Sequence, residues 1–215
     1  MSRVFNFEGP VFSSLSRLAD LFWLNLLFIV CCIPIVTIGA ATTALYYVTL
    51  KMVKDEEGYI TKSFFRSFKR NFAQATVIWA LFLFVATILL FDFRIAGGAD
   101  GMMSNVVVVA VFVMVIIAAM VLTYVFPILS RFDNSVMNTV KNAFLISIRH
   151  LPYTILMIVI AIVPVVLIWF FPALLILVLI MFSAVAYINS KFLSKIFVLY
   201  MPKEDPAAEE GNGEV

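Results

Sequence analysis

Long apolar stretches alternate with short charged ones along most of this chain. Residues 19–37, 73–93, 106–129, 152–169 and 172–190 are each almost free of charge. At 1.5 Å per residue, about twenty helical residues cover the roughly 30 Å hydrocarbon core of a bilayer. The stretch 39–53, GAATTALYYVTLKMV, is milder, being apolar but rich in Ala, Gly and Thr. As a helix it reaches only about 22 Å. It reads as a short sixth span, a re-entrant piece or a surface helix. Spans that pack through small residues tolerate such mild hydrophobicity. The pattern predicts an all-α, polytopic transmembrane helix bundle of six spans, or five if 39–53 does not cross.

Two of the charged stretches have a helical period of their own. Ile60, Phe64, Phe68 and Phe72 recur every four residues, while Lys62, Arg66, Lys69 and Arg70 fill the other face. This spacing predicts an amphipathic interfacial helix, with Phe64, Phe68 and Phe72 facing lipid and the basic face drawn to anionic headgroups. Val136, Val140 and Phe144 form a second stripe opposite Asn138, Lys141 and Asn142, with Asp133 or Asn134 as the expected N-cap. The chain therefore reads twice as span, polar joint, amphipathic helix, span. A shift of 79 residues aligns Leu50 with Leu129, Lys62 with Lys141, Phe65 with Phe144 and Arg70 with Arg149. That order of elements implies a parallel internal repeat.

The basic residues orient the spans, because cytoplasmic flanks collect Lys and Arg. If 39–53 crosses, residues 1–17, 51–71, 130–151 and 191–215 share one side. They then hold every Lys and Arg except Arg94, out of 15 in the chain. With five crossings, Arg3 and Arg17 also move outside. The expectation is a multi-pass protein of the bacterial cytoplasmic (inner) membrane with both termini in the cytoplasm. Residues 94–105 form an outer loop broken by Gly97, Gly98 and Gly101. Trp169 to Pro172 make a tight outer turn in the aromatic belt. The first apolar run exceeds a usual signal-peptide core, so it is expected to be retained. Residues 1–200 form a single membrane domain, and 201–215 read as a disordered acidic tail.

Composition agrees with this class. The chain is 64% hydrophobic and 13% charged, with a mean hydropathy of +1.09, whereas soluble domains are about half apolar and about a quarter charged. The adjacent Cys31 and Cys32 lie inside an apolar run, where a bridge between neighbours is sterically poor. They read as buried thiols.

Polar groups within lipid are costly and so draw attention. Asp20 and Asn25 lie in the first span, and Pro34 and Gly39 bracket a break in IPIVTIG. Together they are the candidate intramembrane polar or helix-break site. They read either as structural features (an interfacial carboxylate, an interhelical amide, a hairpin turn) or as points on a solute path. His150 is the single histidine and reads as an interfacial anchor. Asp55, Glu56 and Glu57 read as a solvated turn. No catalytic set, metal cluster, cofactor loop or nucleic-acid motif is legible in the sequence.

The runs LNLLFIVCCIPIVTIGAATTALYYV (24–48), DEEGYITKSFFRSFKRNFAQAT (55–76), PILSRFDN (127–134) and NAFLISIRHLP (142–152) carry a match. They resemble the YesL-like family of predicted bacterial integral membrane proteins, a domain of unknown function. The resemblance covers about residues 5–200 and departs at Phe28, where many relatives carry Trp. It supplies no catalytic residues. Relatives are often encoded near carbohydrate ABC transporters and glycoside hydrolases. The resemblance thus implies a non-catalytic accessory component linked to carbohydrate uptake, with membrane lipid and ABC transporter subunits as partners. The alternatives are a small-solute transporter or exporter built around Asp20, Asn25 and the Pro34–Gly39 break, and a membrane-embedded enzyme acting on lipid-linked sugar. The oligomeric state is open.

Overall fold

A computed structural model describes residues 10–56, 58–97 and 102–200. The expected tail 201–215, Arg3, Glu57, Gly98 and Gly101 lie outside the described residues. The described chain is all helical. Its seven α-helices are α1 (Pro10–Cys32), α2 (Ile38–Val53), α3 (Ile60–Gly97), α4 (Met102–Arg131), α5 (Val136–Arg149), α6 (Leu151–Phe170) and α7 (Val178–Val198). Short 3₁₀ turns at Ile35–Thr37 and Pro172–Leu177 lead into α2 and α7. Six segments are long and apolar enough to cross a membrane, including Ile35–Val53. The chain is thus a multi-pass membrane protein by length and composition.

The mild hydropathy of α2 follows from where it sits. Half of its span is buried in protein, against 6% of the most apolar window of α3 and 22% for α1. It is the central helix, in contact with α1, α3, α4 and α7. Its Gly39, Ala40, Ala41 and Ala44 face protein rather than lipid. Such small side chains let backbones approach closely, so α2 is held by packing instead of by lipid solvation. Its sixteen residues and the 3₁₀ turn before it add to about 30 Å, enough to cross.

The α1–α2 connection is a hairpin turn. Helix α1 stops at Cys32, short of the expected Thr37, because Pro34 offers no N–H to continue it. The Thr37 hydroxyl contacts the Cys31 and Pro34 carbonyls, and the Trp79 indole N–H donates to the Ile35 carbonyl at 2.8 Å.

The expected interfacial helix at 60–72 is not a separate element. It is the first half of α3, a rod of 38 residues and about 57 Å. The aromatic stripe is therefore corrected. Phe64 is wholly buried and packs with Leu24, Ala41, Leu45 and Val48, while Phe68 is half-buried. Only Phe72 of the three stays exposed. The physical reason is that α2 folds back along this segment and takes the apolar face that lipid was expected to take. Phe93 and Phe112 show that the far half of α3 pairs with α4 instead, their ring centroids 6.3 Å apart.

The second amphipathic segment is a separate helix, α5. Its N-cap is Ser135, whose side chain accepts from the Asn138 N–H, rather than Asp133 or Asn134. Its buried face is Thr139, Ala143, Ile146 and Ser147, while Phe144 is exposed.

Burial repeats at the offset of 79. Phe64 and Ala143, Ala75 and Thr154, and Ile78 and Met157 are all wholly buried, and Leu50 and Leu129 nearly so. Phe65 and Phe144 are 39% and 38% exposed. The units α2–α3 and α4–α5–α6 thus present equivalent faces. They differ at one joint. Position 73 is Ala inside α3, whereas its counterpart Pro152 opens α6 behind a break at His150. Proline cannot donate to the carbonyl four residues back and suits the first turn of a helix.

Candidate functional site

Asn25 is wholly buried in α1. Its Nδ2 donates to the Val178 carbonyl at 2.9 Å, and its Oδ1 accepts from the Ser183 N–H at 3.0 Å. The Ser183 hydroxyl donates to the Leu21 carbonyl at 2.7 Å. Both polar ends of the amide are engaged by the start of α7, which clamps α1 to it. Thr49 on α2 bonds Ser190 on α7 at 2.8 Å, and Tyr124 on α4 bonds Thr154 on α6 at 3.0 Å. These groups join helices. Thr76 Oγ1 and Asn189 Oδ1 are buried without a hydrogen-bond partner.

Gly39 is a site of close approach. A Cβ there would meet the Ala75 carbonyl oxygen at 2.6 Å and the Trp79 Cβ at 2.8 Å. Pro34 and Gly39 thus shape the hairpin turn and the α2–α3 crossing. Neither lies near Asp20, which sits midway along α1, about three turns before Cys32, and borders grooves that neither of them lines. The structure does not bring the four residues into one site.

The basic ends of the helices gather at one end of the bundle. Helix α2 closes with the Asp55 N–H on the Met52 carbonyl and the Glu56 N–H on the Lys51 carbonyl. Asp55 takes the left-handed conformation (φ 52°) where glycine is usual, which a short polar side chain tolerates. This turn delivers both carboxylates. Asp55 pairs with Arg17, which also donates to the Tyr187 hydroxyl, and Glu56 lies between Lys51 and Arg131. Arg70 pairs with Asp133. His150 sits 3.2 Å from the Tyr200 hydroxyl. The acidic turn is therefore a set of ion pairs linking α1, α2 and α4. Sequence spacing gave no sign of the Arg17–Asp55, Arg70–Asp133 and Arg131–Glu56 pairs, since each joins distant parts of the chain, whereas Lys51 and Glu56 are near neighbours across the turn.

One open groove of about 720 Å³ lies beside this end, between α1 and the start of α3. Asp20, Trp23, Lys62, Phe65, Arg66 and Lys69 form its walls. The three basic side chains are four and three residues apart, so they share one stripe of α3. The Trp23 indole N–H donates to Thr61 Oγ1 at 2.9 Å, which ties the two walls together. Sequence reading found the basic stripe and Asp20 separately, but missed Trp23 and the juxtaposition.

A family model described as "Protein of unknown function, DUF624" matches residues 21–93. The uncharacterized protein YesL of Bacillus subtilis (strain 168) is 31% identical over 143 residues, which is 66% of this chain and 66% of that protein. The chain belongs to the YesL-like DUF624 family. The match to YesL spans just under two thirds of that protein's length. No solved structure matches the chain. The DUF624 segment runs from α1 through α2 to the far part of α3, so it contains the Gly39 crossing and every groove residue just named except Asp20.

Proposed function

We propose that this DUF624 protein is a non-catalytic component of the bacterial cytoplasmic membrane, with its basic end in the cytoplasm, that assists carbohydrate uptake by docking on a transporter. The observation that carries the non-catalytic part is how the polar groups are used. The Asn25 amide, the Thr49–Ser190 bond and the Tyr124–Thr154 bond hold helices together, and the Asp55 and Glu56 carboxylates neutralise Arg17, Lys51 and Arg131. Groups spent on packing are poor candidates for a reacting set. The same use of Asn25 weakens the solute-path reading, which needs a free polar point in the first span. The link to carbohydrate rests on the resemblance described above, and orientation rests on the basic end.

The test joins two measurements. A deletion strain is grown on single sugars, and the tagged protein is purified under induction by the sugar that reveals a defect. The reading expects slowed growth on at least one sugar and co-purification of a transporter's membrane subunit. Normal growth on every sugar, with no transporter subunit recovered, would overturn it.

A further inference from the structure

The groove between α1 and α3 carries cations that the fold itself does not require. Lys62, Arg66 and Lys69 are exposed, and none lies within 4.0 Å of a carboxylate among the described residues. Arg17, Lys51, Arg70 and Arg131, by contrast, all have acidic partners. The repeat supplies an internal control. The counterparts of Lys62, Arg66 and Lys69 are Lys141, Leu145 and Ile148, which are exposed as well. Packing at the Arg66 and Lys69 positions is therefore satisfied by apolar residues in the second unit, which keeps a single cation, Lys141, where the first unit has three. Concentrating three positive charges on one stripe costs self-repulsion, which an anion in the groove would relieve.

The rest of the groove narrows the class of anion. Its mouth adjoins α1 and α3, both membrane-spanning segments. Trp23 and Phe65 give it an aromatic side, of the kind that settles at the headgroup level. Asp20 places one carboxylate among the cations, able to accept hydrogen bonds from hydroxyl groups. We infer that the α1–α3 groove binds the headgroup of an anionic glycerophospholipid, its phosphodiester between Lys62, Arg66 and Lys69 and its headgroup hydroxyls on Asp20. This site does not depend on the carbohydrate reading and would stand if the protein served no transporter.

The full chain, purified in a neutral detergent, is titrated with short-chain phosphatidylglycerol, phosphatidic acid, phosphatidylcholine and inorganic phosphate, and bound lipid is counted by native mass spectrometry. Phosphatidylglycerol is expected to bind most tightly. At about 1 kcal/mol per basic residue, the variant K62Q/R66Q/K69Q should lose affinity about a hundredfold, and R66Q alone about fivefold. Lys141→Gln should leave binding unchanged. Asp20→Asn should narrow the preference for phosphatidylglycerol over phosphatidic acid, which lacks the headgroup hydroxyls. Because these side chains are exposed, the variants should elute as the wild type does, and R66Q serves if the triple variant does not. Equal binding of phosphatidylcholine, insensitivity to R66Q, or a loss of the same size from Lys141→Gln would overturn the site. Inorganic phosphate competing as well as the lipid would overturn the lipid assignment.

Discussion

Replacing Gly39 with Ala tests the central packing claim directly. The added Cβ would sit 2.6 Å from the Ala75 carbonyl oxygen, 2.8 Å from the Trp79 Cβ and 3.1 Å from a Phe126 ring carbon. An ordinary contact needs about 3.5 Å, so α2 and α3 must separate by up to about 0.9 Å. The obstructing oxygen belongs to a helix backbone and cannot rotate away. Overpacking of this kind costs about 1–3 kcal/mol. Gly39 is only the second residue of α2, so the gain of Ala over Gly in helix propensity, up to about 1 kcal/mol in a helix interior, applies here only in small part. The net expectation is a loss of about 1–3 kcal/mol, read as a lower midpoint in thermal or denaturant unfolding of the detergent-solubilised protein. Gly58→Ala is the matched control, because its Cβ meets only Ser63 Oγ at 3.5 Å, an ordinary contact. Adding Trp79→Ala should not rescue Gly39→Ala, since Ala keeps the Cβ and the Ala75 oxygen stays in place. A Gly39→Ala protein as stable as the wild type would refute the close α2–α3 approach.

Three further outcomes follow from the same packing. Asn25→Leu should lower the unfolding midpoint by an amount corresponding to about 1 kcal/mol, because it removes the α1–α7 clamp in a setting where such bonds are worth modest amounts; no change would show that the clamp is dispensable. Ala73→Pro should cost about 3 kcal/mol or more by breaking α3 at the joint where the second unit already carries Pro152, and helicity by circular dichroism should fall with it. In a background with Cys31 and Cys32 replaced by Ala, cysteines introduced at Lys69 and Lys141 should react with an impermeant maleimide from one side of the membrane, and a cysteine at Met103 from the other. Labelling of Lys69 and Lys141 from opposite sides would refute the paired crossings by α3 and α4, and a further cysteine at Ser16 labelled from the side opposite to Lys69 would refute the crossing by α2.

The class of this protein was written in its sequence. Apolar runs of near-bilayer length leave little choice but spanning helices, because lipid offers no partner to a backbone outside a helix or a closed barrel. The break at Pro34 and the repeat of elements were also legible, since proline and periodicity act locally, whereas Gly39 read as one edge of that break and only the fold shows it as the point of close α2–α3 approach. What tertiary structure alone decided is what each face touches. The Phe64 stripe has the same period whether lipid or protein covers it, and only the fold-back of α2 shows that protein does. The mildness of 39–53 became intelligible once α2 was seen to be enclosed. The partners of Asp55, Glu56 and Asp133, and the meeting of Asp20 and Trp23 with the basic stripe of α3, join residues far apart in the chain. Local chemistry dictates which elements form, but such meetings arise only from how those elements pack in space.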